Sequence, residues 1–336
     1  MKRKKILVTG GAGYIGSHVV RQLGEAGEDV VVLDNLSTGF EAAVTAGELY
    51  IGDTGDAALL ERLFDNHDIE TVMHFAAHTI VPESVANPLK YYRNNTASSR
   101  TLLEAAATHD VKHVVFSSTA AVYGIPPDGT ASEATRTKPI NPYGTSKLMT
   151  EWMLRDLEIA GGPSYTALRY FNVAGCDPGG RIGQSTPKAT LLVKVACEAA
   201  VGRRPNVKVF GNDYPTPDGT GVRDYIHVED LATAHLDSLG YLRKGGKSAT
   251  LNVGYGHGYS VREVLRAVEE ELGEPLNIVD EPRRAGDPPV LVAAADKIRK
   301  VVGWSPQFDD LHAIVSSSLA WERKIANQDP DAYWPT

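Results

Sequence analysis

Short β-rich runs alternate with longer segments of helical periodicity along the first half of the chain. Strands are predicted at 6–9, 30–34, 48–51, 71–75, 113–118 and 165–169, and helices near 15–26, 57–67, 89–108 and 143–160. Because strands and helices alternate, the pattern predicts a parallel sheet that is covered by helices on both faces. The expected fold class is α/β, with a doubly wound parallel sheet.

The second half of the chain breaks this rhythm. Gly- and Pro-rich stretches occur at 177–183 and 211–221, and the alternation becomes irregular from Asn172 onward. A length of 336 residues accommodates two domains of about 150 residues. We therefore expect a first domain over 1–171 and a smaller, mixed C-terminal substrate domain over 172–336. The helix-like segment 228–242 and the strand-like segment 249–253 are candidates to return to the first domain.

Composition and charge narrow the classes of partner. The chain is 42% hydrophobic and 23% charged, close to the average of globular proteins. Its 34 Lys and Arg against 42 Asp and Glu give a net charge of −8, which disfavours nucleic acid as a partner. Its apolar runs fall short of the ~20 residues of a membrane span, so no membrane partner is expected.

Cysteine and histidine usage bears on metals and on location. Two cysteines, Cys176 and Cys197, indicate neither a disulfide framework nor a metal-binding pair. The ten histidines form no cluster with ligand spacing. We expect no metal, and the cysteine usage favours a reducing, cytoplasmic location.

A glycine-rich loop follows the first predicted strand. Gly10, Gly13 and Gly16 have G-x-x-G-x-x-G spacing where a helix begins. Glycines allow a tight turn and the close approach of a pyrophosphate, while the helix N-terminus supplies amide donors. The next strand ends in Asp34, where a carboxylate can accept hydrogen bonds from both adenosine ribose hydroxyls and repels a 2′-phosphate. The sequence therefore predicts a Rossmann-like domain that binds NAD rather than NADP.

Two other strand ends are candidate contacts of the cofactor. Asp53 follows the third strand, where an acidic side chain can meet the adenine amino group. Phe75, Ala76 and Ala77 lie at the end of the fourth strand, and small residues there let the backbone lie against a cofactor. The preceding His74 is interpreted as a core histidine rather than a ligand.

A tyrosine and a lysine stand four residues apart at the start of a predicted helix. At this spacing Tyr143 and Lys147 share one helix face. The pKa of a free tyrosine is about 10, so a tyrosine base near pH 7 needs a neighbouring positive charge, from an ammonium or an oxidised nicotinamide. Ser117, Ser118 and Thr119 offer hydroxyls at the end of a strand, where doubly wound sheets bind ligands. These residues predict removal of an alcohol proton by tyrosine while NAD accepts hydride from the same carbon.

Several longer motifs resemble a known family. They are Asp34–Leu36, Glu83–Val85, Pro88–Tyr92, Asn94–Asn95, Ser117–Thr119, Val122–Gly124, Asn141–Gly144 with Lys147, Arg169–Asn172, Phe210–Pro215 and Asp218–His227. Over nearly its whole length the chain resembles the extended short-chain dehydrogenase/reductases and, among them, the UDP-glucose 4-epimerases. The resemblance implies interconversion of UDP-glucose and UDP-galactose through a transient 4-keto sugar, with a tightly held NAD, in a homodimer.

The resemblance also implies roles for individual residues. Tyr143 is the base acting on the sugar 4-hydroxyl, Lys147 binds the nicotinamide ribose and lowers the tyrosine pKa, and Thr119 hydrogen-bonds the reacting oxygen. The implied cofactor-binding residues are Gly10, Gly13, Tyr14, Ile15, Gly16, Asp34, Asn35, Asp53, Thr54, Phe75, Ala76, Ala77, Asn94, Tyr143, Lys147 and Tyr170. The implied substrate-binding residues are Thr119, Asn172, Leu192, Phe210, Arg223, Arg284, Asp287 and Leu291, and an arginine fork suits a pyrophosphate.

A few positions bear on which reaction and which sugar are expected. Nucleotide-sugar dehydratases and decarboxylases of this family carry acidic residues where this chain has Ala120 and Ala121. Methyl groups cannot move protons, so epimerisation is favoured. Thr79 replaces a frequent cofactor-binding lysine, and Leu191 replaces an Asn or His that contacts substrate.

Two alternatives stay open. Leu291 matches the position that gates the sugar pocket in the family that the chain resembles, so the substrate is alternatively a UDP-N-acetylhexosamine, a UDP-pentose or a UDP-uronate. An alternative of another class is a non-catalytic regulator that senses dinucleotide. Retention of Tyr143 and Lys147 favours the enzyme.

Overall fold

The computed structural model describes residues 4–186, 189–284 and 286–327. The strands in these ranges are β1 (Lys5–Thr9), β2 (Val30–Asp34), β3 (Glu48–Ile51), β4 (Ile69–His74), β5 (His113–Thr119), β6 (Thr130–Ala131), β7 (Ser164–Tyr170), β8 (Asn172–Ala174), β9 (Val207–Phe210), β10 (Val222–Arg223), β11 (Tyr225–His227), β12 (Ala249–Val253), β13 (Tyr259–Ser260), β14 (Ile278–Glu281) and β15 (Val290–Ala293). The α-helices are α1 (Tyr14–Glu25), α2 (Ala57–Asn66), α3 (Val81–Ala86), α4 (Pro88–Tyr91), α5 (Ser98–Thr108), α6 (Pro142–Ile159), α7 (Leu192–Ala200), α8 (Val228–Arg243), α9 (Val261–Leu272), α10 (Asp296–Val302) and α11 (Leu311–Ala326).

Seven strands form one large sheet in the order β12-β7-β5-β4-β1-β2-β3. Every neighbouring pair in it is parallel. Successive residues of β1 face opposite sides, because Ile6 and Val8 pack in the core cluster that contains α1, whereas Leu7 packs in the cluster that contains α2. The predicted α/β fold with a Rossmann-like doubly wound sheet is confirmed.

The strand order reverses beside β1. From β1 the chain continues to β2 and β3 on one side, and then crosses to β4 and β5 on the other. At such a reversal the connections leave in opposite directions, so the carboxyl ends of β1 and β4 border a crevice. This crevice is where an open α/β sheet binds its ligand.

A smaller mixed sheet lies beside the large one. Its order is β13-β10-β15-β6, with one antiparallel pair and two parallel pairs. Two parallel strand pairs, β8 with β11 and β9 with β14, accompany it. The chain returns to the large sheet late, because β12 pairs with β7 and Glu229 of α8 accepts hydrogen bonds from His18 and Gln22 of α1.

The segment predicted as one helix over 89–108 is interrupted in the structure. A π-helical turn at Tyr92–Ala97 separates α4 from α5. The wide turn directs Asn95 inward, where its amide accepts from the His78 backbone N–H at 2.8 Å and donates to Ser146 Oγ at 3.1 Å. These tertiary hydrogen bonds replace the regular helical register, which a sequence pattern does not reveal.

Backbone contact at two glycines closes the loop after β1. Gly10 has φ +72°, and a Cβ on it would lie 2.5 Å from the Ala76 nitrogen at the end of β4. A Cβ on Gly16 would lie 2.2 Å from the Gly10 carbonyl oxygen. Any side chain at these positions would push β1, α1 and the end of β4 apart.

We predict that Gly16→Ala lowers the free energy of unfolding by about 1–3 kcal/mol, because its methyl group overpacks a backbone contact. Gly240→Ala on α8 is the matched control, since nothing lies within 4 Å of its added Cβ. Alanine there should raise stability by about 0.5–1 kcal/mol through helix propensity. Chemical denaturation of both variants measures the difference, and equal effects would contradict this account of Gly16.

Candidate active site

The start of α6 presents Tyr143 and Lys147 to the carboxyl end of the large sheet. Pro142 occupies the first turn, and Asn141 caps the helix by accepting a hydrogen bond from the Gly144 N–H at 2.9 Å. Tyr143 is 9% exposed and Lys147 is 2% exposed. The two side chains are therefore held one helical turn apart on a buried face.

The end of β5 supplies partners to both side chains. Lys147 Nζ donates to the Ser117 carbonyl oxygen at 2.8 Å and lies 4.8 Å from the centroid of the Phe116 ring. The Tyr143 phenol lies near the side chain of Thr119. Thr119 in turn caps the short 3-10 turn Ala120–Val122 by accepting from the Ala121 N–H at 3.1 Å. The structure thus brings together the three predicted catalytic residues.

Burial opposes charge on both members of this pair. It raises the pKa of Tyr143, against a lowering by the Thr119 hydrogen bond. It lowers the pKa of Lys147 to about 7, against the opposing field of the Glu151 carboxylate. A phenolate at Tyr143 is therefore favoured only when Lys147 keeps its proton or another positive charge stands nearby.

Neutral groups complete the surroundings of the pair. Tyr170 forms a short hydrogen bond with Ser117 Oγ, and burial raises its pKa. His74 contacts Thr9 Oγ1 at 2.6 Å and Ser99 Oγ at 2.7 Å, and burial lowers its pKa to about 3. His74 is therefore a neutral core histidine.

A second group of predicted residues lines the crevice beside β1. No side chain caps the start of α1, where Gly13 is the N-cap residue. Asp34 is 8% exposed, and its two carboxylate oxygens accept from the backbone N–H groups of Ala12 at 2.9 Å and Leu36 at 2.8 Å. An open helix start beside a fixed carboxylate fits a dinucleotide with free ribose hydroxyls.

Other cofactor candidates lie at neighbouring strand ends. Asn35 donates to Asp53 Oδ2 at 3.0 Å, which links the ends of β2 and β3. The adjacent Thr54 is buried. The Ala76 N–H donates to the Thr9 carbonyl at 3.1 Å, and Ala77 follows it along the same edge.

Four predicted side chains point to protein neighbours instead. The Tyr14 phenol donates to the Gly175 carbonyl at 2.6 Å, and Ile15 packs against the large core cluster. The Phe75 ring lies 4.7 Å from the His235 ring, and Asn94 donates to Asn95 Oδ1 at 3.0 Å. Because the side chains of Tyr14, Ile15 and Phe75 contact the protein, only their backbone atoms are available to bind a ligand.

Five of the predicted substrate residues lie on the smaller sheet, on β9, or in the loop between β14 and β15; they are Phe210, Arg223, Arg284, Asp287 and Leu291. Arg223 Nη2 donates to Asp287 Oδ1 at 2.9 Å, and the Arg284 guanidinium carbon lies 3.7 Å from the centroid of the Phe210 ring. Leu291 pairs with Arg223 across β15 and β10. This arrangement places two guanidinium groups beside one acidic and one aromatic side chain.

Leu291 connects the two groups of residues. It packs against a cluster that contains Ala120, Leu148 of α6 and Phe171. Asn172 begins β8, and its N–H donates to the Asp224 carbonyl at 2.9 Å. Leu192 begins α7 and packs against the large core cluster, whereas Leu291 packs against the cluster that contains Ala120. Among the described residues, no helix has the length and apolarity of a membrane span, and no group of three or more possible ligands could hold a metal.

The sequence analysis did not predict a buried ion pair that lies beside Lys147 on α6. Glu151, one turn after Lys147, is bound by Arg169 of β7 and by Ser118 of β5. The available signal was the position of Glu151 on the same helix face as Tyr143 and Lys147. Its partners could not be found by spacing, because strand pairing brings them there.

The comparison with known proteins agrees with this geometry. Residues 6–254 match the family described as NAD dependent epimerase/dehydratase. The chain belongs to this family. It is 56% identical over 322 residues to the UDP-glucose 4-epimerase of Azospirillum brasilense, covering 96% of this chain and 92% of the relative.

Two solved structures are similar throughout. The UDP-glucose 4-epimerase of Bifidobacterium longum, in complex with NAD+ and UDP, has a TM-score of 0.91 at 41% identity, covering 96% of this chain and 99% of that one. The UDP-Glc/GlcNAc 4-epimerase of Campylobacter jejuni has a TM-score of 0.84 at 46% identity, also covering 96% and 99%.

Proposed function

We propose that this family member is a UDP-glucose 4-epimerase that interconverts UDP-glucose and UDP-galactose with NAD. The observation that carries the proposal is the buried pair Tyr143 and Lys147, which faces Thr119 at the strand edge beside the glycine loop. Relatives that are similar over their full length bear this name.

The chain's own residues manage the proton. NAD supplies the site that takes hydride from the sugar carbon and returns it. Tyr143 accepts the proton of the 4-hydroxyl and gives it back to the 4-keto oxygen, while Thr119 hydrogen-bonds that oxygen. Lys147 holds the nicotinamide ribose, and its ammonium favours the phenolate.

The smaller sheet holds the UDP portion. Arg223 and Arg284 are suited to the pyrophosphate, because a guanidinium donates two parallel hydrogen bonds. Asp287 already orients Arg223, and Phe210 supports Arg284. The remaining substrate contacts are assigned to Asn172, Leu192 and Leu291. A firm hold on UDP lets the 4-keto sugar turn and present its other face.

Residues next to Thr119 limit the chemistry to epimerisation. Ala120 is buried and Ala121 partly exposed in the 3-10 turn after β5. Neither methyl group transfers a proton, so elimination of water or loss of carbon dioxide lacks the acid or base it needs.

Cofactor contacts are assigned to the strand ends of the crevice. Asp34 binds the adenosine ribose, which favours NAD over NADP, and Asn35, Asp53 and Thr54 lie on the adenine side. The glycine loop, the backbone of 75–77, Asn94 and Tyr170 complete the site. In this assignment residues 1–171 form the NAD-binding domain, and residues 172–336 form mainly the nucleotide-sugar domain, with 228–242 and 249–253 serving the first.

The two cysteines are buried and free, which suits a reducing compartment. We assign the enzyme to the cytoplasm and to galactose metabolism on this ground and on the proposed substrate.

The decisive test is turnover of UDP-galactose without added cofactor. We expect UDP-glucose as the product and a loss of about 100- to 10,000-fold in kcat for Tyr143→Phe, with the NAD content of the purified protein unchanged. Tyr241→Phe is the control, because that phenol lies near the end of α8, which carries none of the proposed site residues, and donates to the Lys247 carbonyl. Full turnover by Tyr143→Phe with NAD bound would refute the catalytic assignment.

A second candidate substrate is the N-acetylated sugar. The observation in its favour is Leu291, which is intermediate in size at the position assigned to the sugar pocket, together with the similarity to a UDP-Glc/GlcNAc 4-epimerase. Turnover of UDP-N-acetylglucosamine beside UDP-glucose distinguishes the two.

We predict that Leu291→Tyr reduces kcat/KM for UDP-N-acetylglucosamine at least about tenfold more than for UDP-glucose, since the larger ring fills space needed by the acetamido group. Leu291→Met, which conserves volume, should change both values alike. An equal loss on both sugars in Leu291→Tyr would contradict gating at this position.

We also propose that the enzyme is a homodimer. Apolar side chains are exposed on neighbouring helices, with exposed fractions of 63% at Val85, 74% at Leu89, 45% at Trp152 and 78% at Ile159. Trp152 and Ile159 are seven residues apart on α6 and share a face. A second copy of the same surface is the occupant that this apolar face fits.

Leu89→Asp should convert the dimer to monomer, because a carboxylate would be buried without a partner. Sedimentation analysis measures the mass in solution. Val279→Asp, at another exposed apolar residue on β14, should leave the mass unchanged. A wild-type monomer would refute the homodimer.

A further inference from the structure

Three neighbouring strands carry polar side chains in one row. Ser118 of β5 and Asn252 of β12 are both in register with Arg169 of β7. Glu151 of α6 lies against this row and accepts from Ser118 Oγ and Arg169 Nε through one oxygen, the latter at 2.9 Å. Its other oxygen accepts from Arg169 Nη2 at 2.5 Å. Glu151 and Arg169 are each only 6% exposed.

Further hydrogen bonds connect the Glu151–Arg169 ion pair to Tyr123 and Asn252. Arg169 Nη1 donates to the Tyr123 hydroxyl at 3.0 Å, and this hydroxyl donates to Asn252 Oδ1 at 2.5 Å. Asn252 Nδ2 donates to the Ala131 carbonyl at 2.8 Å. Arg169 binds Glu151 through two nitrogens and is itself held by Tyr123 through its third nitrogen. The Glu151 carboxylate therefore has little freedom to move.

This carboxylate stands next to the proposed catalytic pair. Glu151 follows Lys147 by one helical turn, so the two side chains share a face. Lys147 donates to the carbonyl of Ser117, and Glu151 accepts from the hydroxyl of the next residue, Ser118. Consecutive residues of β5 therefore bind the Lys147 ammonium and the Glu151 carboxylate.

We propose that Glu151, held by Arg169 and Ser118, is a positioning residue of the epimerase that supplies the buried counter-charge keeping Lys147 protonated beside Tyr143. The proposal rests on the proposed function. In this role Glu151 binds Ser118 and Arg169 and acts through Lys147.

Among the described residues, the other titratable groups packed around Lys147 do not supply a free negative charge, so this role falls to Glu151. His74 of β4 is neutral, with a pKa of about 3, and burial raises the pKa of Tyr170 on β7. On the side of α3 and α4, burial raises the pKa of Tyr91, and the nearby Glu83 and Lys90 pair with each other at 2.6 Å.

The sign of the effect follows from charge. Burial lowers the pKa of Lys147 to about 7, and the field of Glu151 opposes that fall. Removing this negative charge makes both the ammonium and the phenol lose protons more readily. The active form has one proton shared between the pair, so both limbs of its pH profile move to lower pH.

The experiment compares pH profiles of kcat/KM for Glu151→Gln, Arg169→Gln and the double variant. We expect Glu151→Gln to move both limbs to lower pH by roughly half to one unit. Arg169→Gln, which keeps the carboxylate, should leave them in place or move them to higher pH. The double variant should lie between Glu151→Gln and the wild type. Ultraviolet difference titration of the Tyr143 phenolate, taken against Tyr143→Phe, reports the same shifts without turnover.

Tyr123→Phe is the matched control, because it removes hydrogen bonds from the same row without a change of charge. Its limbs should coincide with those of the wild type even where thermal unfolding shows a loss of stability. If a single variant fails to fold, the double variant still decides, since it buries no unpaired charge and its limbs should lie on the acid side.

Unshifted limbs in Glu151→Gln, or acid shifts of equal size in Glu151→Gln and Arg169→Gln, would overturn the proposal and leave the ion pair a structural role. Failure of the wild type to epimerise UDP-galactose would instead refute the proposed function. The two failures are therefore distinguishable.

Discussion

The site depends on a lysine ammonium that is held almost completely out of water. Isolated buried charge is costly, and a protein normally responds by pairing the group or by removing its proton. Here a carbonyl oxygen of Ser117, the face of Phe116 and the nearby Glu151 carboxylate offset part of that cost. Burial lowers the pKa of Lys147 to about 7 against the field of Glu151, and in this range modest changes of nearby charge decide whether the proton stays.

The glycine loop must accommodate negative charge instead of a buried positive charge. A ligand that carries phosphates needs donors without bulky side chains, and the start of α1 provides backbone N–H groups that no side chain caps. Gly10 lets the ends of β1 and β4 touch, so the edge that carries Asp34 and the edge that carries Thr119 border one crevice. The proposed cofactor site and Tyr143 are brought together by strand order rather than by sequence proximity.

The parts of the fold and of the site that local patterns encode could be predicted from the sequence. The strands β2 and β3, the glycine loop, Asp34 and the Tyr143–Lys147 spacing each have a signal within a few residues. The π-helical turn at Asn95 and the Glu151–Arg169 pair depend on contacts between distant segments, so they leave no local period. Helices α7, α10 and α11 lie in the irregular second half and were not predicted, since glycines and prolines there obscure the pattern.

The proposed reaction accounts for the combination of arginines suited to the UDP portion with apolar side chains in the proposed sugar pocket. A 4-keto sugar that turns over must stay attached through its UDP portion, which calls for oriented cations such as Arg223 beside Asp287. The surfaces it turns against must not exchange protons with it, and Ala120, Phe171 and Leu291 are apolar and packed together. In the proposed reaction Tyr143 returns only the proton of the 4-oxygen, and the apolar side chains offer no second acid or base for elimination. Under the proposed function, specificity for epimerisation therefore arises as much from these apolar groups as from Tyr143.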